Sequence, residues 1–422
     1  MSQLESVLAV AGEAPGMEQL DFTLPPSNTA VVDRKQHLRA YPTNSSTLVP
    51  GGNGVWRVRL GGDDFVDSSS IRLMYTIRET GGANPLTPLS GPWGAWSSLF
   101  LRSSGVEIDQ IPMYSRFHEM HGFKLLPFAD QWGEASIAGL GGSWGNGASN
   151  VPRMGTIAAN ASYTVMHKVH TSLFNSGRFL PTRYMPLELE MSLNPTTTDW
   201  LSNAANTSQA YEISNIQLIY DAVVLDESIQ ESFYKALLAS RTLSIPVITV
   251  YQVVQSIPAA ATSFSFAAVR ALSRLSHVWL TFRGAGARAS EFVCPTTTAG
   301  AGATPALADG GAPLARLSLG PKNYPDPQSI SNIPEYFYQL HQALGYAPNI
   351  TRDGFQTGNC FTICWDLRKT PGDASTSVPT RSGDLLNITL QNRTAGAASE
   401  CWLTMFAFSV VAVREQGCTL LT

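Results

Sequence analysis

Three short stretches of this 422-residue chain combine residue types and spacings that suggest chemistry. Gly141-Gly142-Ser143-Trp144-Gly145 matches G-x-S-x-G, the nucleophile elbow, in which a strand-to-helix turn holds a serine hydroxyl clear of the sheet. That motif needs a helix behind the serine, and Asn146-Gly147-Ala148-Ser149-Asn150 starts none. Strands and helices do not alternate around it, so Ser143 is not expected to act as a nucleophile. The same glycines lack the Lys-Ser/Thr pair that completes a phosphate cradle. His118-Glu119-Met120-His121 falls one residue short of H-E-x-x-H. At i and i+3 its two imidazoles would share one helix face, and packing beside Tyr114 and Phe117 is the expectation. Glu107 and Asp109 stand two apart in a hairpin, a spacing that more often gives a solvated face than a catalytic pair.

Four indoles, Trp93, Trp96, Trp132 and Trp144, gather in the same part of the chain. Indoles stack on sugars, but large aromatic side chains also anchor protein interfaces. The subunit-interface reading is the expectation for all four. No residue is assigned a catalytic, cofactor-binding or metal-binding role, and no cofactor is expected. The five cysteines (Cys294, Cys360, Cys364, Cys401, Cys418) are scattered and odd in number, which makes no disulfide framework. Buried thiols in a reducing compartment are expected.

Composition narrows the class. Only 14% of residues are charged, against roughly 25% in average soluble proteins. Gly, Pro, Ser, Thr and Ala take their place, which favours strands joined by loops and an exterior that touches other protein. The net charge is −4, and the first 30 residues hold Glu5, Glu13, Glu18 and Asp21 but no Lys or Arg. No basic arm or global positive field draws in nucleic acid. Ser2–Ala11 lacks the basic start and apolar run of a secretory signal, and no stretch has the length of a membrane-spanning helix. A soluble, intracellular protein is expected.

The positioning elements centre on Tyr211–Gln255. Tyr211–Leu225 alternates as a long strand, with Ile216, Leu218, Tyr220 and Ala222 on one face. Asp226 stands at an N-cap, and Ile229, Phe233, Ala236 and Leu237 then form one helical stripe, with Phe233 and Leu237 expected as anchors. A further strand begins near Ile245. This reads as a helix joining two β domains: an arm at 1–26, a first sandwich at 27–225, a linking helix at 226–241 and a second sandwich at 242–422. A helix over Pro112–His121 is expected to end at Gly122, and Leu125–Asn160 and Ala285–Pro327 are expected to be long loops.

The two halves repeat. LMYTIRE (Leu73–Glu79) resembles VWLTFRG (Val278–Gly284), and IPMYSRFHEMHGF (Ile111–Phe123) resembles IPEYFYQLHQALGY (Ile333–Tyr346). PTRYMPLELEMSLN (Pro181–Asn194) resembles PTRSGDLLNITLQN (Pro379–Asn392), and EISNIQLIYDAVVLDE (Glu212–Glu227) resembles ECWLTMFAFSVVAVRE (Glu400–Glu415). Four pairs in the same order argue for two tandem copies of one all-β sandwich. Asn332 and Glu335 are spaced to cap the second copy's helix, and Gly345 to end it.

Over about residues 30–415 this pattern resembles the double jelly-roll major capsid proteins of double-stranded DNA viruses, closest to the Polinton-like, adintovirus and virophage group and the nucleocytoplasmic large DNA viruses. The likeness is carried by Gly91–Met120, Phe174–Leu193, Ile216–Phe233 and the closing strands CFTICWDLRKT, RSGDLLNITLQN and CWLTMFAFSVVAVREQG. It implies two tandem eight-stranded jelly rolls and a structural, non-enzymatic role in a virion, assembled inside the host cell. It also implies a homotrimeric capsomer with a pseudo-hexameric outline that meets neighbouring capsomers and minor capsid and penton proteins. The long loops would form outer towers, and the arm, which holds no Lys or Arg, would face a minor protein or an internal membrane. The alternative is a β-sandwich glycan-binding or spike protein, which would keep the tryptophans without needing the duplication.

Overall fold

Alternation in the sequence becomes alternation in burial. Strand β1 (Val32–Ala40) is followed by β2 (Val55–Leu60), where Trp56, Val58 and Leu60 point inward and the residues between them outward. The first half continues with β3 (Phe65–Asp67), β4 (Arg72–Glu79), β5 (Trp96–Ser103), β6 (Val106–Ile111), β7 (Ser162–Lys168), β8 (Phe179–Pro181), β9 (Leu187–Leu193) and β10 (Tyr211–Leu225). The second half holds β11 (Leu243–Ser256), β12 (Phe264–Ala268), β13 (Leu275–Arg283), β14 (Leu314–Leu319), β15 (Lys322–Tyr324), β16 (Thr362–Asp366), β17 (Leu386–Gln391), β18 (Glu400–Arg414) and β19 (Gly417–Leu421). This computed structural model describes residues 32–421 except 45, 52–53, 141–153, 239–241, 259, 284–291, 293–312, 325–329, 331, 358–359, 371, 381–384, 392–399 and 415–416.

All strand pairings between these elements are antiparallel, and the order of strands is the same in both halves. One sheet runs β1-β10-β4-β7 and its counterpart β11-β18-β13-β16; the facing sheets run β2-β9-β5-β6 and β12-β17-β14-β15. In each half the first strand thus lies beside the last of eight, the pairing that defines a jelly roll. Each of the four repeated sequence pairs also falls on equivalent elements: β4 and β13, the helices after β6 and β15, β9 and β17, β10 and β18. Three further strands extend the eight. In the first sandwich β3 and β8 add to the lower part of β10, and in the second β19 adds to β18 in the corresponding place. Local stretches of like sequence therefore reach like positions in the fold.

The described residues also form five α-helices: α1 (Tyr114–Phe117), which runs into a π-helix over His118–Lys124, then α2 (Phe128–Ile137), α3 (Glu227–Leu238), α4 (Ile333–Leu344) and α5 (Arg352–Thr357). Helix α3 starts where Asp226 was placed, with the Ile229 and Gln230 amides donating to the Asp226 carbonyl. Ile229 packs beside Phe65, Val223 and Leu225, while the side chains of Phe233, Ala236 and Leu237 lie outside the described set. Three expectations change. Leu125–Asn160 is not a plain loop, because α2 forms within it, held to β4 by a bidentate Arg72–Glu134 ion pair at 2.8 and 2.9 Å. Ala285–Pro327 carries β14 and β15. Gly122 does not end the first helix but sits inside the π-turn.

Candidate functional site

Contacts between the two sandwiches converge on the segment Tyr114–Leu125. Its first four residues form an α-turn with no side-chain cap at Met113. The Leu125 amide then bonds to the Met120 carbonyl, five residues back, as a π-helix does. The wider turn rotates His121 away from His118, so the shared face expected from an i, i+3 spacing does not form. His118 stacks on Trp93 at 4.3 Å with the rings 8° from parallel. His121 instead meets Trp279 at 4.4 Å and Phe406 at 4.9 Å, in the second sandwich. Apolar neighbours follow the same division. Tyr114, Phe117 and Phe123 belong to the first core, Met120 and Leu125 to the second.

Gly122 is required by close approach. A Cβ there would meet His170 Cδ2 at 2.7 Å and His118 Cδ2 at 2.8 Å. Around it lies a polar network. The Tyr114 hydroxyl oxygen accepts the His170 amide N–H, and the same hydroxyl shares a hydrogen bond with His118 Nδ1 at 3.1 Å. Trp93 Nε1 donates to Glu119 Oε2 at 2.6 Å, and Glu119 Oε1 lies 3.7 Å from Lys124 Nζ, both side chains being buried. Burial pushes His118 well below the ordinary histidine value, and holds His167 down at about 4. These histidines are neutral core members at pH 7, with the apolar surroundings expected of a packed helix histidine.

Further ties cross the seam. The Arg116 guanidinium lies 3.1 Å from the Trp402 ring centroid, and Phe117 packs on Phe406. Arg283 pairs with Asp199 at 3.0 Å, the Met113 amide donates to Gln252 Oε1, and the Asn349 amide donates to the Leu126 carbonyl. Strands β11 and β19 both lie against β6. The first core cluster continues into Ile245, Val247, Val250, Val411 and Val413 of the second sandwich. Strand β13 is buried on both faces for this reason: Val278, Leu280 and Phe282 fill its own core, while His277 and Trp279 face the seam. An apolar, interlocked junction of this kind restrains motion of one sandwich against the other.

Three sequence expectations are corrected here. Trp93 is 1% exposed and Trp96 0%, so neither reaches a surface that another chain or a sugar could touch. Their indoles fill the first core, Trp96 with Tyr75 and Trp56, and Trp93 with His118 and Phe123. Trp132 is 47% exposed on α2, and Trp144, with the whole Gly141–Gly145 motif, lies outside the described residues. Asp109 is the third correction. The pairing of β5 with β6 shifts register between Leu101 and Arg102, so Ile108 and Asp109 are both buried and Glu107 is left outside. Asp109 Oδ2 accepts from the Ser172 amide and hydroxyl at 2.7 and 2.6 Å, and burial raises its carboxyl to about 6.

Four cysteines (Cys360, Cys364, Cys401, Cys418) are buried, and burial raises the thiols of Cys360 and Cys364. Among the described residues no His, Cys, Asp and Glu side chains are grouped to hold a metal ion, and no helix is long and apolar enough to cross a membrane.

No protein-family profile matches the chain, and no curated protein matches it. Solved structures do. A quasi-atomic model of the PBCV-1 virus capsid aligns with a TM-score of 0.66 at 12% identity, covering 94% of this chain and 98% of that one. The Faustovirus major capsid protein aligns with a TM-score of 0.63 at 9% identity, over 94% and 93% of the two chains. A chain of the Sputnik virophage gives 0.61 at 9% identity, over 95% and 91%. At such identities the likeness speaks to fold, and it extends through both sandwiches and the junction between them. The chain has the double jelly-roll fold that it shares, end to end, with the PBCV-1 capsid chain and the Faustovirus major capsid protein.

Proposed function

We propose that this chain is the major capsid subunit of an icosahedral double-stranded DNA virus, a structural protein without enzymatic activity. The observation that carries the reading is the full-length, two-way match to capsid chains, with two like sandwiches welded into one body. Three such chains in a closed ring present six similar walls, which is the pseudo-hexameric capsomer. Closed symmetry also removes open surfaces that would otherwise polymerise without limit. Within this reading residues 1–26 are an arm at the base, 27–225 the first roll, 226–241 the linking helix and 242–422 the second roll. The partners are neighbouring capsomers and minor capsid and penton proteins, with a minor protein or an internal membrane facing the arm and no sequence-specific nucleic-acid contact.

Trp132 is the tryptophan left to serve the trimer contact among those described. It stacks with Phe128 at 6.3 Å on the outer face of α2, and Tyr346 of the second sandwich is near enough to feel the charge of Asp130. Phe128 is 59% and Tyr346 38% exposed, so each roll presents exposed aromatic surface here. Light scattering on purified protein should give three times the 45.5 kDa chain mass, with hexagonal outlines in negative stain. Phe128→Ala with Trp132→Ala should shift that peak toward monomer. A clean wild-type monomer would overturn the capsid reading in favour of a glycan-binding module, for which the burial of Trp93 and Trp96 leaves few indoles.

A further inference from the structure

Five of the chain's seven histidines, His118, His121, His167, His170 and His277, collect at the seam. His118 lies 4.6 Å from His170 and 5.3 Å from His167, ring centroid to centroid, and all three surround Trp93 or its helix. His167 Nδ1 is spent on the Lys168 carbonyl, while His167 Nε2 and His170 Nε2 are buried without hydrogen-bond partners. On the other side of the π-helix, His121 faces His277 between Trp279 and Phe406. One helix thus carries an uncharged imidazole into each sandwich.

We propose that this cluster is an acid-operated release for the seam: charging the imidazoles undocks the helix Tyr114–Lys124 and lets the two jelly rolls separate from each other before either one unfolds.

Each carboxylate facing the cluster is already held by another partner. From the same helix come Tyr114, Glu119 and Lys124, and Glu119 is already held by Trp93 and Lys124. Strand β4 contributes Tyr75 and Arg72, the latter paired with Glu134 of α2, and β7 contributes the cation Lys168. Beside His277, Asp366 of β16 is held by Arg368 at 2.6 Å, and its Oδ1 lies 3.8 Å from His277 Nε2, so a charged His277 keeps a partial counter-ion. The Trp93 face returns part of the cost of a charged His118 through cation–π attraction, but His167 and His170 then bring like charge within a ring's width. Asp109 pulls in the opposite direction, because its raised carboxyl favours the acid side.

The sign follows from burial. Each of these histidines is held below its ordinary value of 6.5, His167 and His277 at about 4, His121 and His170 at about 3. Their contribution to the docked seam is therefore complete above pH 6.5 and is lost as pH falls toward the folded values. Each imidazole released costs the docking equilibrium about tenfold per pH unit below 6.5.

The test uses the second sandwich's own solution. In the equivalent helix, Leu340 stands where the first has His118, and it is fully buried in an apolar core. Hydrogen exchange of the full-length protein is followed from pH 7.5 to 4.5, corrected for intrinsic exchange rates. In the wild type, protection over 114–125 and across β11 should fall at a higher pH than protection in β2 and β9. His118→Leu should keep the pH 7.5 pattern and move the loss over 114–125 to lower pH, delaying it by up to about tenfold in acid concentration. Loss at the same pH in both proteins overturns the proposal, as does simultaneous loss in β2 and β9. If His118→Leu fails to fold, His121→Phe is read by the same criteria. The readouts are intramolecular, so they are independent of the capsid reading and of its trimer test.

Discussion

The helix after β6 and the helix after β15 descend from the same stretch of the repeat, yet they do different work. Helix α4 is local in every feature. Asn332 Oδ1 accepts from the Glu335 amide at 2.8 Å, a proline opens the first turn, and Gly345 closes the last at φ +75°. Its buried residues, Ile333, Tyr336, Leu340 and Ala343, make one stripe against one sandwich. The Tyr114–Lys124 helix has no cap, widens into a π-turn and is buried on nearly all sides. Tyr336 donates its hydroxyl proton to a backbone carbonyl, whereas the Tyr114 hydroxyl is hydrogen-bonded to a histidine ring. A helix with one neighbour needs only a stripe and caps. A helix enclosed by two sandwiches is shaped by both, and tertiary packing replaces the caps.

The largest test of that contrast is Leu340→Ala. Truncating a fully buried leucine in a one-sided interface should cost about 2–5 kcal/mol. A denaturant melt showing less than about 1 kcal/mol would mean that α4 is not the packed counterpart of the seam helix. The two glycines sharpen the comparison next. Gly122→Ala must push His118 and His170 aside and should cost about 1–3 kcal/mol through crowding. Gly345→Ala meets no atom within 4 Å and should cost about 1 kcal/mol, purely from its left-handed backbone. Equal hydrogen-exchange signatures in the two variants, instead of a disturbed seam in the first alone, would break the distinction. The smallest effect belongs to the cap: Asn332→Ala should lose about 1 kcal/mol, seen as fraying confined to the first turn of α4. A loss that spread into the seam would show the two helices to be coupled.

Much of the molecule was legible locally. The strand Tyr211–Leu225, the start of the linking helix and the capped helix Ile333–Leu344 all follow from period and capping chemistry within a few residues. The duplication was legible because like stretches recur in like order, and the fold places all four pairs at equivalent positions. The short strands β3 and β8 were not legible, since three residues carry no period. Asp109 was misread because a one-residue bulge inverts the faces of a strand, and nothing in Glu107–Asp109 announces it. Trp93 and Trp96 were misread for a related reason: a large aromatic suits a core as well as an interface, and only the surrounding sheets distinguish the two.

What the sequence determined by itself is therefore what is set over short separations: which stretches extend, which coil, where helices start and stop, and that one sandwich is written twice. The tertiary structure alone decided which of the two rolls' helices would be enclosed. It also decided which tryptophans would be covered and where five histidines from three separate stretches of the chain would meet. Local elements depend on nearest-neighbour geometry and solvent exposure, which the residue pattern encodes. Burial on a second face depends on another domain arriving there, and no residue pattern within the helix reports that arrival.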